Sequence, residues 1–159
     1  ISNPEYAGFA MFLIAFLEAF FISGAIWPSV ILLLFAVGLS EADIELIYIC
    51  LGAGIGAWIG DTASYYSGLF FGPKLKKLDF LKKREALFIR GENFFNKYGW
   101  SGILIGRLIP AIRPFIPFIA GISSMKQTIF LVSSILACLI WSLALAILII
   151  GIDNIVKLF

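Results

Sequence analysis

The chain has 159 residues, 61% hydrophobic and 14% charged, with a mean hydropathy of +1.02. A soluble domain carries about 45–50% apolar and about 25% charged residues, so a water-facing globular surface is excluded. The net charge of +2 says little; histidine is absent and the two cysteines lie in separate apolar segments, which removes His-based catalysis, histidine zinc sites and a disulfide framework.

The reading is a polytopic, all-α integral membrane protein, one membrane domain over 1–159. Residues 7–39 are apolar for longer than one span of about 20 residues needs. Ser23-Gly24-Ala25-Ile26-Trp27-Pro28 interrupts them, because Pro cannot continue a helix at its own N–H. The halves, of about 16 and about 12 residues, fit a re-entrant hairpin better than two crossings. Glu18 sits on the first half.

Ser40-Glu41-Ala42-Asp43 reads as a turn and helix start, with Ser as N-cap and acids in the first turn. A crossing helix is expected over 42–72, ended by Gly72-Pro73. Gly52, Gly56, Gly60, Ser64 and Gly68 recur every four residues, a groove along which another helix backbone can approach closely. Asp61 sits beside that groove and Tyr65 one turn on. Packing within the chain is favoured over packing against another subunit.

The loop 73–98 holds Lys74, Lys76, Lys77, Lys82, Lys83, Arg84, Arg90 and Lys97, while the other connections are mainly acidic. By the positive-inside rule this loop is cytoplasmic. Its charge reads as a solvated face that sets topology, with a specific anionic-lipid site as the alternative. Within it, Leu81–Tyr98 is amphipathic: Leu81, Phe88 and Phe95 recur at seven, as do Leu87 and Phe94. That suggests a helix lying in the headgroup layer, or one meeting a soluble partner.

Residues 100–123 make a second broken segment, interrupted from Pro110 to Pro117, and 125–152 a second crossing helix. The layout is hairpin, crossing helix, basic loop, hairpin, crossing helix: two opposed hairpins in an inverted-repeat arrangement of the kind common in secondary transporters. No residue-level identity between the halves supports it; the layout alone does. No secretory signal is apparent, and the chain opens on Ile1 rather than Met, which fits a preceding segment processed away or outside the sequence.

Four charges lie inside apolar segments: Glu18, Asp61, Arg107 and Arg113. Each costs about 2.5–3.5 kcal/mol at the bilayer centre, so together on the order of 10 kcal/mol if unpaired. They must pair or face water. One reading is two ion pairs that only lock the hairpins to the core. The other makes Arg107 and Arg113 an anion site, since the guanidinium fork suits phosphate and stays charged. Glu18 and Asp61 are then counter-ions or proton carriers, because low dielectric favours the protonated carboxyl and a nearby arginine the ionised one. An enzyme is not expected: the serines have no histidine behind them, and no metal cluster is apparent.

These residues carry a family resemblance. Phe16-Leu17-Glu18 before a break, Gly60-Asp61 with Tyr65 or Tyr66, Gly68, Phe71-Gly72 and Tyr98-Gly99 form one part. The more specific block is Gly106-Arg107, Pro110, Arg113, Pro117, Ala120-Gly121 and Met125, followed by Phe130 and Trp141. The chain resembles the DedA family, also called the SNARE-associated Golgi or VTT-domain family, from about Ala7 to Gly151. One departure stands out. Members often carry two prolines and a Glu at the first break, whereas this chain reads Ile26-Trp27-Pro28-Ser29-Val30, and Val30 cannot carry a proton.

The resemblance implies lipid handling in a prokaryotic cytoplasmic membrane. The expected task is flippase-like movement of a phosphate-bearing lipid, such as undecaprenyl phosphate, between leaflets, with coupling to protons. The alternatives are an energy-independent phospholipid scramblase and a structural protein. The family's essential acids and arginines fall on Glu18, Asp61, Arg107 and Arg113, with Tyr65, Pro110, Pro117 and Gly121 in support. Expected partners are anionic phosphate-headgroup lipids and protons. No cofactor, metal or nucleic acid is expected, and the oligomeric state is left open.

Overall fold

The computed structural model describes residues 4–24, 29–75, 85–107 and 112–156, and among these every regular element is a helix. They are α1 (Pro4–Ala19), α2 (Phe21–Gly24), α3 (Ser29–Glu41), α4 (Leu46–Leu75), α5 (Glu85–Tyr98), α6 (Ser101–Arg107), α7 (Phe115–Ile122) and α8 (Gln127–Val156). Two are long and apolar enough to cross a bilayer, over Leu46–Gly72 and Gln127–Ile152. At 1.5 Å per residue each spans about 40 Å, whereas α1 reaches only about 24 Å and α3 about 20 Å. The rest of the first break, residues 25–28, lies outside the described residues, as do Pro110 and Leu81–Arg84 of the expected amphipathic segment.

The small-residue face of α4 organises the molecule, and it packs internally. A Cβ on Gly52 would meet the carbonyl of Gly8, one on Gly56 that of Phe12, and one on Gly60 that of Phe16. Helix α1 therefore runs parallel to α4, backbone against backbone. Farther along, Gly68 faces the carbonyl of Phe118, and Gly121 would bring a Cβ within 2.8 Å of the Leu69 nitrogen. So α7 takes the second half of the same face. On another side α8 runs antiparallel to α4: Phe130 stacks on Tyr65 at 4.2 Å, and Ser142 donates to the Cys50 carbonyl at 2.9 Å.

Each short pair of helices reverses. Helix α3 ends where α4 begins, which is the end where α1 starts. Helix α7 ends where α8 begins, near Tyr65 and Tyr66, the end from which α6 sets out. The two returns close with the same backbone device. After α3, Asp43 adopts φ 59°, Ile44 donates to Leu39 and Asp43 to Ser40. After α7, Ser124 adopts φ 54°, Met125 donates to Ala120 and Ser124 to Gly121. These are two Schellman ends, each with an apolar residue folded back over the helix.

Several boundaries differ from expectation. Ser40 closes α3 instead of capping α4, because the left-handed turn at Asp43 terminates one helix before the next begins. Pro73 does not stop α4, which continues to Leu75: a proline removes one N–H bond and crowds one carbonyl, which bends a helix as readily as it ends one. Pro117 lies inside α7 as its third residue, where the missing N–H has no intrahelical acceptor to lose. The first bend comes at Phe20, before Ser23. There the Phe21 amide donates to Ser64 Oγ at 3.0 Å, and Ser23 Oγ donates to the Leu17 carbonyl at 2.5 Å. Side chains thus satisfy the backbone groups that the bend frees. In α5, Phe94 and Phe95 turn onto Gly102 and Ile103, so part of its apolar face is covered by protein, while Ile89 remains exposed.

Candidate functional site

The two reversals meet beside the midpoint of α4 through described residues that flank their turns. Phe21 stacks on Phe118 at 4.1 Å, and a Cβ on Gly24 would lie 2.8 Å from Pro114 Cβ. Glycine at this position lets the two reversals touch. The four charges of the apolar segments gather around this contact, and they do so as two pairs.

Arg107, the last residue of α6, forms an ion pair with Asp61 of α4. Asp61 also accepts from Ser134 Oγ of α8 at 3.0 Å, and the Cys138 thiol lies 3.8 Å from the same oxygen. Arg113, in the turn before α7, donates from Nη1 to Glu18 Oε1 of α1 at 2.8 Å. Its guanidinium also lies over the Trp141 ring, 4.5 Å from the centroid. That stacking suits a planar, weakly hydrated cation. All four charged side chains are at most 11% exposed.

The pairs do not saturate their members. Among the described residues, Nε and Nη2 of Arg107, Nη2 of Arg113 and Oε2 of Glu18 are buried without a hydrogen-bond partner. Buried donors of this kind are costly, and a native structure normally supplies them with an acceptor. Three unpartnered guanidinium N–H positions in a low-dielectric setting suit an anion with several oxygens. Among the described residues no group of three or more His, Cys, Asp or Glu side chains could hold a metal ion.

The structure therefore brings Glu18, Asp61, Arg107 and Arg113 together. It sets Tyr65 apart: that ring is buried against Phe130, and its hydroxyl donates to the Met125 carbonyl at 2.5 Å, fastening the start of α8 to α4. Gly121 and the buried Pro117 belong to the α4–α7 contact, and Pro110 lies outside the described residues. Val30, at the place of the family's glutamate, is 60% exposed. Sequence reasoning missed Ser134 and Cys138 as neighbours of Asp61. Their signal was available: Ser134, Cys138 and Trp141 share one face of α8 at spacings of four and three.

Residues 27–150 match the VTT domain. The chain is 30% identical over 140 residues to the inner membrane protein YabI of Escherichia coli strain K12, covering 87% of this chain and 55% of that protein. It is 30% identical over 154 residues to the inner membrane protein YqjA of the same strain, covering 91% of this chain and 68% of that one. An uncharacterized membrane protein of Buchnera aphidicola from Acyrthosiphon pisum is 29% identical over 130 residues, 81% of this chain and 51% of its own. The chain spans about half the length of the first of these relatives. No solved structure matches.

Proposed function

The chain belongs to the VTT-domain, or DedA, family of membrane proteins, and we propose that it carries a phosphate-bearing lipid between the leaflets of a prokaryotic inner membrane. The family resemblance makes undecaprenyl phosphate the first lipid to try. In this reading the two reversals are re-entrant hairpins entering from opposite faces, and the basic loop 73–98 lies on the cytoplasmic side. Two observations support the hairpins. The helices of each reversal are too short to cross, and the two returns end on the same Schellman turn, a likeness in keeping with two copies of one unit.

The single observation that carries the function is the pair of half-satisfied arginines at the meeting of the two reversals. A lipid phosphate crossing hydrocarbon loses its hydration and needs donors in exchange. Among the described residues, Arg107 and Arg113 hold three unpartnered donor positions where the reversals meet. As phosphate oxygens draw the guanidinium groups, Glu18 and Asp61 lose part of their counter-charge. A proton taken up in exchange at this site would link lipid movement to a proton gradient.

The test is Arg113→Lys, which keeps the charge and removes the fork. In proteoliposomes, phosphate-lipid movement should fall about tenfold or more, a loss of about 1.4 kcal/mol. The melting temperature should hold within about 3 °C, which corresponds to about 1 kcal/mol at this chain length. Equal losses of stability and activity would leave the pair a folding device. An imposed pH gradient should drive net lipid movement. A rate indifferent to the gradient would instead mark an energy-independent scramblase, and a chemically altered lipid would mark an enzyme.

A further inference from the structure

Among the described residues, grooves lie on both sides of α8, and their linings differ. The groove on the α4 side, about 170 Å³, is lined by Leu51, Gly54, Ile55, Trp58 and Leu139 among others, with no charged residue. Among the described residues that line it, the unpartnered polar group is the neutral indole N–H of Trp58. On the α6 side, two hollows follow each other along the same pair of helices. The outer, about 520 Å³, lies between Trp100 and the Thr128–Leu136 stretch of α8. The inner, about 180 Å³, lies between Leu104 and Arg107 on one side and Ile140, Trp141 and Ala144 on the other.

This furrow has a direction. Trp100 and Thr128 are near the helix starts, where an amphipathic indole suits headgroup depth, and Trp100 is 56% exposed. Leu104 and Arg107 follow at spacings of four and three, so one face of α6 supplies its wall. Ile140 and Ala144 continue the opposite wall on α8. Everything along the way is apolar or weakly polar until Arg107, whose Nε and Nη2 are unpartnered and whose side chain is 5% exposed.

We infer that the α6–α8 furrow is the lateral path by which a lipid reaches the site. The hydrocarbon chain lies along the furrow and the phosphate travels inward from the Trp100 end to Arg107. This deepens the phosphate-lipid reading above and rests on it. The occupant is a membrane lipid and not free phosphate, because the walls on both sides of Arg107 are aliphatic or indole and a water-borne anion gains nothing from them. The chain never leaves an apolar setting, and only the headgroup needs the arginine in place of water.

The test places p-benzoylphenylalanine at Ile140, at Ile55 in the α4-side groove, and at Phe9 on exposed α1. The full chain goes into phosphatidylcholine vesicles containing a labelled long-chain prenyl phosphate. Illumination should label position 140 well above 55 and 9, and excess inorganic phosphate should not compete. Equal labelling at the three positions, or loss of labelling to inorganic phosphate, overturns the path. Selective labelling at 140 that persists in Arg107→Gln supports the path and overturns the phosphate reading, so the two claims fail separately. Ala144→Leu narrows the inner hollow from a lipid-exposed position with both ion pairs intact. Transport should fall about tenfold at unchanged melting temperature, and an unchanged rate would overturn the path.

Discussion

The seam between α4 and α1 differs from the seam between α8 and α6. On α4, glycines at every fourth position bring the carbonyls of α1 and α7 to within contact of its backbone, and no space is left. Between α8 and α6 a furrow runs from Trp100 to Trp141, walled by side chains of mixed size. Both seams are apolar, and each sets a short helix against one of the two helices long enough to cross a bilayer. Backbone approach over glycine closes the first seam, while the second stays open between side chains, with Ala137 and Ala144 leaving room in its inner hollow. The four charges sit where the closed seam meets the open one: Asp61 on the closed side, Arg107 at the end of the furrow. That position makes the ion pairs answerable to both.

The largest effect is therefore expected at Arg107. Arg107→Ala leaves Asp61 buried with only Ser134 and the Cys138 thiol, and should cost about 3–5 kcal/mol in thermal unfolding in detergent. Replacing both partners, Arg107→Met with Asp61→Leu, should recover most of that stability, since an apolar pair of similar volume removes the uncompensated charge. Transport should stay absent in the double variant. Recovery of transport together with stability would make the pair structural, and the furrow would end on nothing.

The closed seam comes next. A Cβ at Gly56 would collide with the Phe12 carbonyl oxygen and lie 3.0 Å from the carbonyl carbon and Cα, backbone atoms that cannot rotate away as a side chain can. Gly56→Ala should cost about 1–3 kcal/mol as overpacking. It should also displace α1 and with it Glu18, so lipid movement falls although no charged residue has changed. A melting temperature equal to the parent's would show that the seam is looser than the glycine contacts imply.

These two sites were legible to different degrees. Charged residues inside apolar runs and small residues at every fourth position are chemical signals that survive errors of several residues in helix ends. Hence Glu18, Asp61, Arg107, Arg113 and the glycine face of α4 could all be read directly. The pairing was not readable. The sequence matched two acids to two bases by number, but Arg107 meets Asp61 and Arg113 meets Glu18 only because α7 lies along α4 beyond α1. Ser40 misled for a local reason. Ser-Glu-Ala-Asp has the composition of a helix start, yet the left-handed φ of Asp43 makes it a helix end, and composition does not encode which side of the turn the serine occupies. Ser134 was legible as one face with Cys138 and Trp141, but its partner was not: several hydroxyls stud this apolar helix, and only α4 laid antiparallel beside it brings Asp61 within 3.0 Å of this one.

The smallest effect separates the grooves. Gly54 faces the α4-side groove, and a Cβ there would meet only Ser142 side-chain atoms, at 3.6 Å, an ordinary van der Waals distance. The same substitution that should damage Gly56 is accommodated two residues earlier. Gly54→Ala should raise stability by about 0.4–1 kcal/mol, because alanine has fewer unfolded conformations to lose. The added methyl partly fills a groove whose described lining carries no charged residue, so transport should be unchanged. A fall in lipid movement at full stability would assign the route to the α4 side of α8. The open seam beside Arg107 would then be a packing gap and not a path.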